Sequence, residues 1–235
     1  MDISIVIPAY NEAERVEKSL DAIFDFMKSW DFSFEVIVVD DGSKDATSQI
    51  VQEKMGNHKE LKLITLPLNR GKGFAVRTGI LAARGEYILF SDADLSTPIE
   101  ELPKLFSWLN KGYDIAIASR ACPGAVLEIH QPFYREFMGR LFNLLVRLFL
   151  LPGIRDTQCG FKLFRREVAW DVFKRQRFRG FSFDFEVLYI AKRLGYKIKE
   201  VPVIWRHSPG SKVKVLRNGI TSFLDIFKTR MRGIK

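Results

Sequence analysis

The reading of "EYILFSDADLSTP", residues 86–98, decides the fold. A short apolar run gives way at once to two aspartates one residue apart, Asp92 and Asp94. A continuous apolar run bounded by turn residues predicts a strand buried on both faces. Two carboxylates leaving it in an extended segment point roughly the same way and repel each other. Something positive therefore belongs between them: a metal ion, a basic side chain, or solvent over a helix start. The rest of the chain has to decide among these.

Working outward, "ISIVI" (3–7), "FEVIVV" (34–39), "LKLITL" (61–66) and "DIAIAS" (114–119) read as four more strands of the same buried kind. Helix-period segments lie between them. Ala13, Val16, Leu20, Ile23, Met27 and Trp30 recur at three- and four-residue steps, with Asn11 and Glu14 as a capping box ahead of them. Further helices are predicted after "DDGSKD", from about Lys72 to Ala83, and near 99–110. Strands alternating with helices imply right-handed crossovers and a mostly parallel sheet covered by helices on both faces, an α/β fold. Ligands of such sheets sit outside the carboxyl ends of the strands. "PAYNE", "DDGS", "NRGKG", "DADLS" and "SR" are thus expected to share one rim.

The second half reads differently. "YREFMGRLFNLLVRLFLL" (134–151) is helical, apolar and basic; "GFKLFRREV" and "IKEVPVIW" read as strands flanking the helix "FEVLYIAKRLG". No Pro-, Gly- or Ser-rich linker separates the halves. The expectation is one domain over residues 1–212 with an amphipathic helical extension over 213–235. From Arg206 onward there are eight Lys or Arg and one acid, Asp225. Taken as a helix, Ile220, Phe223, Leu224, Phe227, Met231 and Ile234 fall within a sector about 100° wide, as suits an anionic membrane surface. Docking of the same helix on the core is the plainer alternative.

The formal charge of +9 predicts an anionic partner: nucleic acid, an anionic membrane or a phosphorylated small molecule. No nucleic-acid-binding motif accompanies it, so nucleic acid is not expected. The start lacks the basic and long apolar regions of a signal peptide, and no run reaches the roughly 18 residues of a membrane span. Two cysteines, Cys122 and Cys159, have no metal or redox spacing, and three scattered histidines leave little for histidine chemistry. Singly, each polar cluster has an ordinary explanation: Asp40 or Asp41 as a helix cap, Asp184 and Glu186 as a solvated helix start, Arg120 and Arg135 as surface ion pairs. "NRGKG" is neither a Walker A nor a dinucleotide fingerprint. Asp92 and Asp94 suit a hard ion, Mg²⁺ or Mn²⁺, that shares its oxygen ligands with phosphates.

Together, "IVIPAYNE", "VVDDGSKD", "NRGKG", "FSDADLSTP" and "SR" resemble glycosyltransferase family 2 with its GT-A, Rossmann-like fold. "DTQCGFKLF" (156–164) with "DLSTP" resembles the dolichyl-phosphate or polyprenyl-phosphate β-glucosyltransferases, relatives of dolichyl-phosphate mannose synthase. The resemblance implies that Pro8, Tyr10, Glu12, Asp40 and Asp41 hold the nucleoside of a nucleotide sugar, with UDP-glucose favoured. Arg70 and Lys72 would lie near the base or diphosphate, and Asp92, Ala93 and Asp94 at the donor, the two aspartates holding the metal. Arg120 and Arg135 match positions that grip the acceptor phosphate, and Asp156, Asp184 and Glu186 line the sugar end. Arg206 and Lys212 belong to a loop that closes over phosphates. Mannose synthases commonly carry Gln where this chain has Ser96, which turns the expectation from GDP-mannose to UDP-glucose, and Gly139 replaces a frequent Ser. The implied partners are a nucleotide sugar, polyprenyl or dolichyl phosphate, an anionic membrane surface and, in some settings, a membrane protein. The implied location is cytoplasmic, peripheral to the inner face of a membrane. Three competing readings stay open: mannosyl transfer from GDP-mannose to the same lipid class, a family 2 enzyme with a soluble acceptor, which needs a carboxylate as general base, and a non-catalytic polyanion-binding protein.

Overall fold

A computed structural model describes residues 1–129, 133–206 and 215–231, with side chains described for 1–128, 138, 139, 141–206 and 223–231. Seven strands form one sheet in the order β3-β2-β1-β4-β7-β5-β8. They are β1 (Ile3–Ala9), β2 (Phe34–Asp40), β3 (Leu61–Thr65), β4 (Tyr87–Ser91), β5 (Ile115–Ser119), β7 (Phe161–Arg165) and β8 (Ile198–Pro202). All pairings are parallel except those of β7, which runs against both β4 and β5. A separate pair joins β6 (Val126–Ile129) to β9 (Ile204–Arg206) in parallel.

Burial of the sheet on both faces follows from residue alternation. Ile3, Ile5 and Ile7 of β1 enter one core and Val6 the other; Val36 and Val38 of β2 oppose Ile37 and Val39. The first core is closed by α1 (Val16–Lys28), α2 (Thr47–Met55) and α4 (Leu102–Asn110, entered through a 3₁₀ turn at Ile99–Glu101). The second is closed by α3 (Lys72–Ala82), α5 (Phe133–Phe149), α6 (Arg166–Arg175), α7 (Phe183–Arg193) and α8 (Val215–Met231). Strands with apolar residues on both faces need both layers, so the pattern of the runs alone dictates a three-layer α/β architecture.

Several expectations are corrected. The capping box at Asn11 and Glu14 does not form: Arg15 precedes α1 without a side-chain cap. Asn11 instead adopts a positive φ of 53°, and its Oδ1 accepts the Lys44 N–H at 2.7 Å, so its amide is satisfied across the rim rather than along the helix. Trp30 lies beyond the end of α1. "GFKLFRREV" is a strand only to Arg165 and then turns directly into α6. "IKEVPVIW" is split at Val203 between β8 and β9, and β6 was not expected.

For the last helix, both alternatives find support in the structure. The helix docks on the second core through Ile226, which is fully buried, while Asp225 accepts the Ser182 hydroxyl at 2.8 Å. Phe227 packs against Phe149 of α5 with ring centroids 5.5 Å apart, and Arg230 donates to the Phe149 carbonyl at 3.1 Å. Of the expected apolar stripe, Phe223, Leu224, Phe227 and Met231 stay exposed; Ile220 and Ile234 lie outside the described side chains.

Candidate active site

Parallel strands bring their carboxyl ends to one edge, and antiparallel β7 brings its beginning there. The register places Ala9 beside Asp40 and Asp40 beside Thr65. Ser91 of β4 faces Phe161 of β7. The five expected clusters do share a rim, and the loop before β7, carrying "DTQCG", joins them.

At the end of β1, Pro8 is buried inside the strand and Tyr10 lies half-buried just past it. Glu12 faces Arg15, whose Nη2 is 2.6 Å from Glu12 Oε2, and its N–H donates to Thr47 at 2.8 Å. Both neighbouring aspartates are buried and engaged. Asp40 accepts the Ser43 N–H at 2.9 Å and the Ser48 hydroxyl, which is the turn-capping role available to any aspartate there. Asp41 accepts the N–H groups of Arg70 at 2.7 Å and Gly71 at 2.8 Å, fastening "NRGKG" to the end of β2. Burial raises the Asp41 pKa against those two hydrogen bonds. Arg70 lies over the Phe74 ring, 4.1 Å from its centroid.

The acidic pair occupies the centre. The Ser19 hydroxyl holds the Ala93 carbonyl at 2.7 Å, and Leu95 takes a positive φ of 44°, so the chain turns sharply after Asp94. Asp94 accepts the Ser96 N–H at 3.0 Å, and the Ser96 carbonyl accepts the Arg206 N–H at 2.7 Å. Burial, then repulsion from Asp92, raises the Asp94 pKa. Lys72 Nζ lies 2.7 Å from Asp92 Oδ1, so an ammonium already stands against one oxygen of the pair. Burial pulls the Lys72 ammonium down, but Asp92, Asp184 and Asp94 together hold it above the usual lysine value. Two hard oxygen donors that repel each other at one strand end fit a divalent ion. Among the described residues no third carboxylate, histidine or cysteine joins them, so further ligands would come from a diphosphate and water.

Beyond the aspartates the site turns basic. Arg120, at the end of β5, forms a two-pronged pair with Asp156: Nε to Oδ2 at 2.7 Å and Nη2 to Oδ1 at 2.9 Å. Glu200 of β8 fixes Asp156 by accepting the backbone N–H groups of Arg155 at 2.8 Å and Asp156 at 2.9 Å. Trp205 underlies the guanidinium, 5.4 Å from ring centroid to Arg120 Cζ. Burial opposes ionisation of Asp156, yet Arg120 holds its pKa down at about 2, below the usual 3.8. A depressed carboxylate stabilises the fold above its ordinary value and loses that contribution as pH falls through the folded one. Ionised Asp156, in all its surroundings taken together, thus contributes about 2 kcal/mol at neutral pH. Asp156→Asn is expected to flatten the loss of stability between pH 4 and pH 2 in urea titrations; an unchanged acid limb would count against the pairing.

Asp184 and Glu186 at the start of α7 are both buried. Asp184 pairs with Lys162 of β7, whose ammonium also donates to the Cys159 carbonyl at 2.7 Å. Burial raises the Asp184 pKa against the pull of Lys162 and Lys72. Glu186 accepts the N–H groups of Arg177 at 3.0 Å and Phe178 at 2.8 Å, binding the loop before α7. Arg206 is exposed and pairs with Glu128 at 2.5 Å. Lys212 and the side chain of Arg135 lie outside the described residues, although the Arg135 backbone is in α5. Lys162, Glu200 and Trp205 escaped the reading of sequence. Only the position of Lys162 inside an apolar strand hinted at a buried charge.

Comparison with known proteins agrees with this geometry. The family described as "Glycosyl transferase family 2" matches residues 4–173. A dolichyl-phosphate β-glucosyltransferase of Dictyostelium discoideum is 36% identical over 98% of this chain and 74% of its own length. The Homo sapiens protein of the same name is 38% identical over 98% of this chain and 75% of its own. Among solved structures, glucosyl-3-phosphoglycerate synthase of Mycobacterium tuberculosis with UDP superposes with a TM-score of 0.69 at 22% identity, covering 96% of this chain and 79% of that one. A mannosyltransferase of Pyrobaculum calidifontis in complex with GDP-Man and Mn²⁺ gives 0.60 at 20% identity, covering 99% and 65%. These two share the fold.

Proposed function

Because the chain belongs to glycosyltransferase family 2, we propose that it transfers glucose from UDP-glucose to a polyprenyl or dolichyl monophosphate, inverting the anomeric centre. The observation that carries this reading is the engagement of all three carboxylates assigned to the sugar end, Asp156 being held by Arg120. Lys162 holds Asp184, and Glu186 is spent on two backbone N–H groups. A hydroxyl acceptor needs a general base, whereas a phosphate monoester, with its second pKa near 6, is already a nucleophile at neutral pH. Such an acceptor needs cations to position it and to offset its repulsion from the diphosphate. Arg120, fixed from behind by Asp156, supplies one, and Arg135 is assigned the same task.

Pro8, Tyr10, Glu12, Asp40 and Asp41 are assigned to the nucleoside, Arg70 and Lys72 to the base and diphosphate, and Arg206 and Lys212 to the phosphates once acceptor is bound. Asp92 and Asp94, flanking Ala93, would hold Mg²⁺ or Mn²⁺, which neutralises charge on the departing diphosphate. The acceptor oxygen attacks the anomeric carbon opposite the leaving UDP, so an α-linked donor gives a β-linked lipid product. Incubating the protein with labelled UDP-glucose or GDP-mannose, Mg²⁺ and polyprenyl phosphate tests this reading. Label is expected in the lipid phase from UDP-glucose; label from GDP-mannose alone would reassign the donor.

The lipid acceptor gives the exposed apolar helices a use. Leu144, Leu148 and Phe149 of α5 and Leu224, Phe227 and Met231 of α8 are exposed, beside exposed Arg147, Lys228 and Arg230. No described helix is long and apolar enough to cross a membrane. An apolar face rimmed by cations suits peripheral docking on an anionic cytoplasmic leaflet. Leu148→Glu with Met231→Glu is expected to lower sedimentation with anionic vesicles at least tenfold while sparing transfer to a detergent-soluble short-chain acceptor. Unchanged sedimentation would remove this face from the account.

A further inference from the structure

Gly160 immediately precedes β7 and takes no part in the chemistry above, yet it lies against a residue that does. A Cβ placed on it would come within 2.0 Å of Asp92 Oδ2, 2.2 Å of Asp92 Cγ and 2.6 Å of Asp92 Oδ1. All three atoms of the carboxylate group would overlap. The strands cannot part to relieve this, because the Asp92 N–H donates to the Gly160 carbonyl at 2.9 Å and β4 and β7 are paired from Ser91 and Phe161 onward. Gly160 is not among the glycines at positive φ, so alanine would be sterically unwelcome there without straining the backbone. On its other side Asp92 meets the Lys72 ammonium.

We propose that Gly160 is a positioning residue for the donor-diphosphate grip: its missing side chain lets the Asp92 carboxylate lie across the start of β7. The carboxylate is thus moulded between a bare Cα and an ammonium. "DAD" and the "CG" of "DTQCGF", 66 residues apart from Ala93 to Cys159, form one structural unit. The inference rests on the reading above in one respect, that Asp92 serves the metal and diphosphate.

Gly160→Ala tests it through binding rather than turnover. Calorimetric titration with UDP, with and without Mn²⁺, should show at least a tenfold loss in the Mn²⁺-dependent part of the affinity and unchanged metal-free affinity. The KM for a soluble polyprenyl phosphate should stay within about twofold. A folded variant that binds Mn²⁺ and UDP like the parent would overturn the inference. Parent protein whose UDP affinity ignores Mn²⁺ would instead overturn the metal reading of Asp92, and the inference with it. If Gly160→Ala is unstable, the same change in an Asp92→Ala background decides: the drop in Tm should vanish once the carboxylate is gone. An equal drop in both backgrounds would show that Gly160 serves the fold alone.

Discussion

Replacing Asp94 with alanine is expected to lower glucosyl transfer about 10³-fold, the upper end of what removing one electrostatic stabiliser at a developing charge costs. The chain should nonetheless keep its fold. Asp94 is half-buried and accepts the backbone N–H of Ser96. Its pKa is raised, first by burial and then by Asp92, so the folded state holds the proton more tightly than the unfolded one. Stability contributed by such a group falls as pH rises through its titration. At neutral pH, then, Asp94→Ala should be as stable as the parent or more so, while inactive. That combination identifies a residue held under strain for function. Equal losses of activity and of Tm would make Asp94 structural instead.

The second large effect concerns stability. Lys162→Met leaves Asp184 buried without its ammonium, and breaking a buried pair on one side costs about 3–5 kcal/mol. The Lys72 charge also reaches Asp184 and places the loss toward the lower figure. For a domain of this length that corresponds to a fall of roughly 10 °C in Tm. Lys162→Met with Asp184→Leu should recover most of it, because a buried ion pair replaced by apolar groups of similar size is often neutral. Urea unfolding of the two variants checks this. A single variant within about 1 kcal/mol of the parent would mean that the pair is solvated and that Asp184 is available as a base.

The parallel strands were legible because each apolar run must be covered on both faces, and the rim followed from the rule that ligands sit at their carboxyl ends. The direction of β7 was not legible. "GFKLF" reads the same whichever way it runs, and its reversal is what carries Cys159 and Gly160 to the rim. Lys162 was hidden because lysine's ordinary place is in solvent; its partner on α7, 22 residues on, and the Cys159 carbonyl make burial tolerable. Asp40 and Asp41 were visible as acids at a strand end, but not as the groups that fasten the neighbouring loops. Asn11 misled because the same side chain caps a helix or bridges two loops, and only tertiary contact with Lys44 selects the second. Ile226 shows the same limit in α8. The expected stripe stays exposed where it is described, and among the described side chains of α8 the buried ones are Ile226 and Thr229, both beside it.

The most direct test of glucosyl transfer to a lipid phosphate is a single-turnover assay with UDP-glucose labelled in the glucose ring, Mg²⁺ and polyprenyl phosphate in mixed micelles, followed by extraction of the lipid. The account predicts label in an acid-labile, β-linked glucosyl phospholipid, formed without any hydroxyl acceptor. Label that stays in the aqueous phase, or passes only to a soluble hydroxyl acceptor, would contradict it.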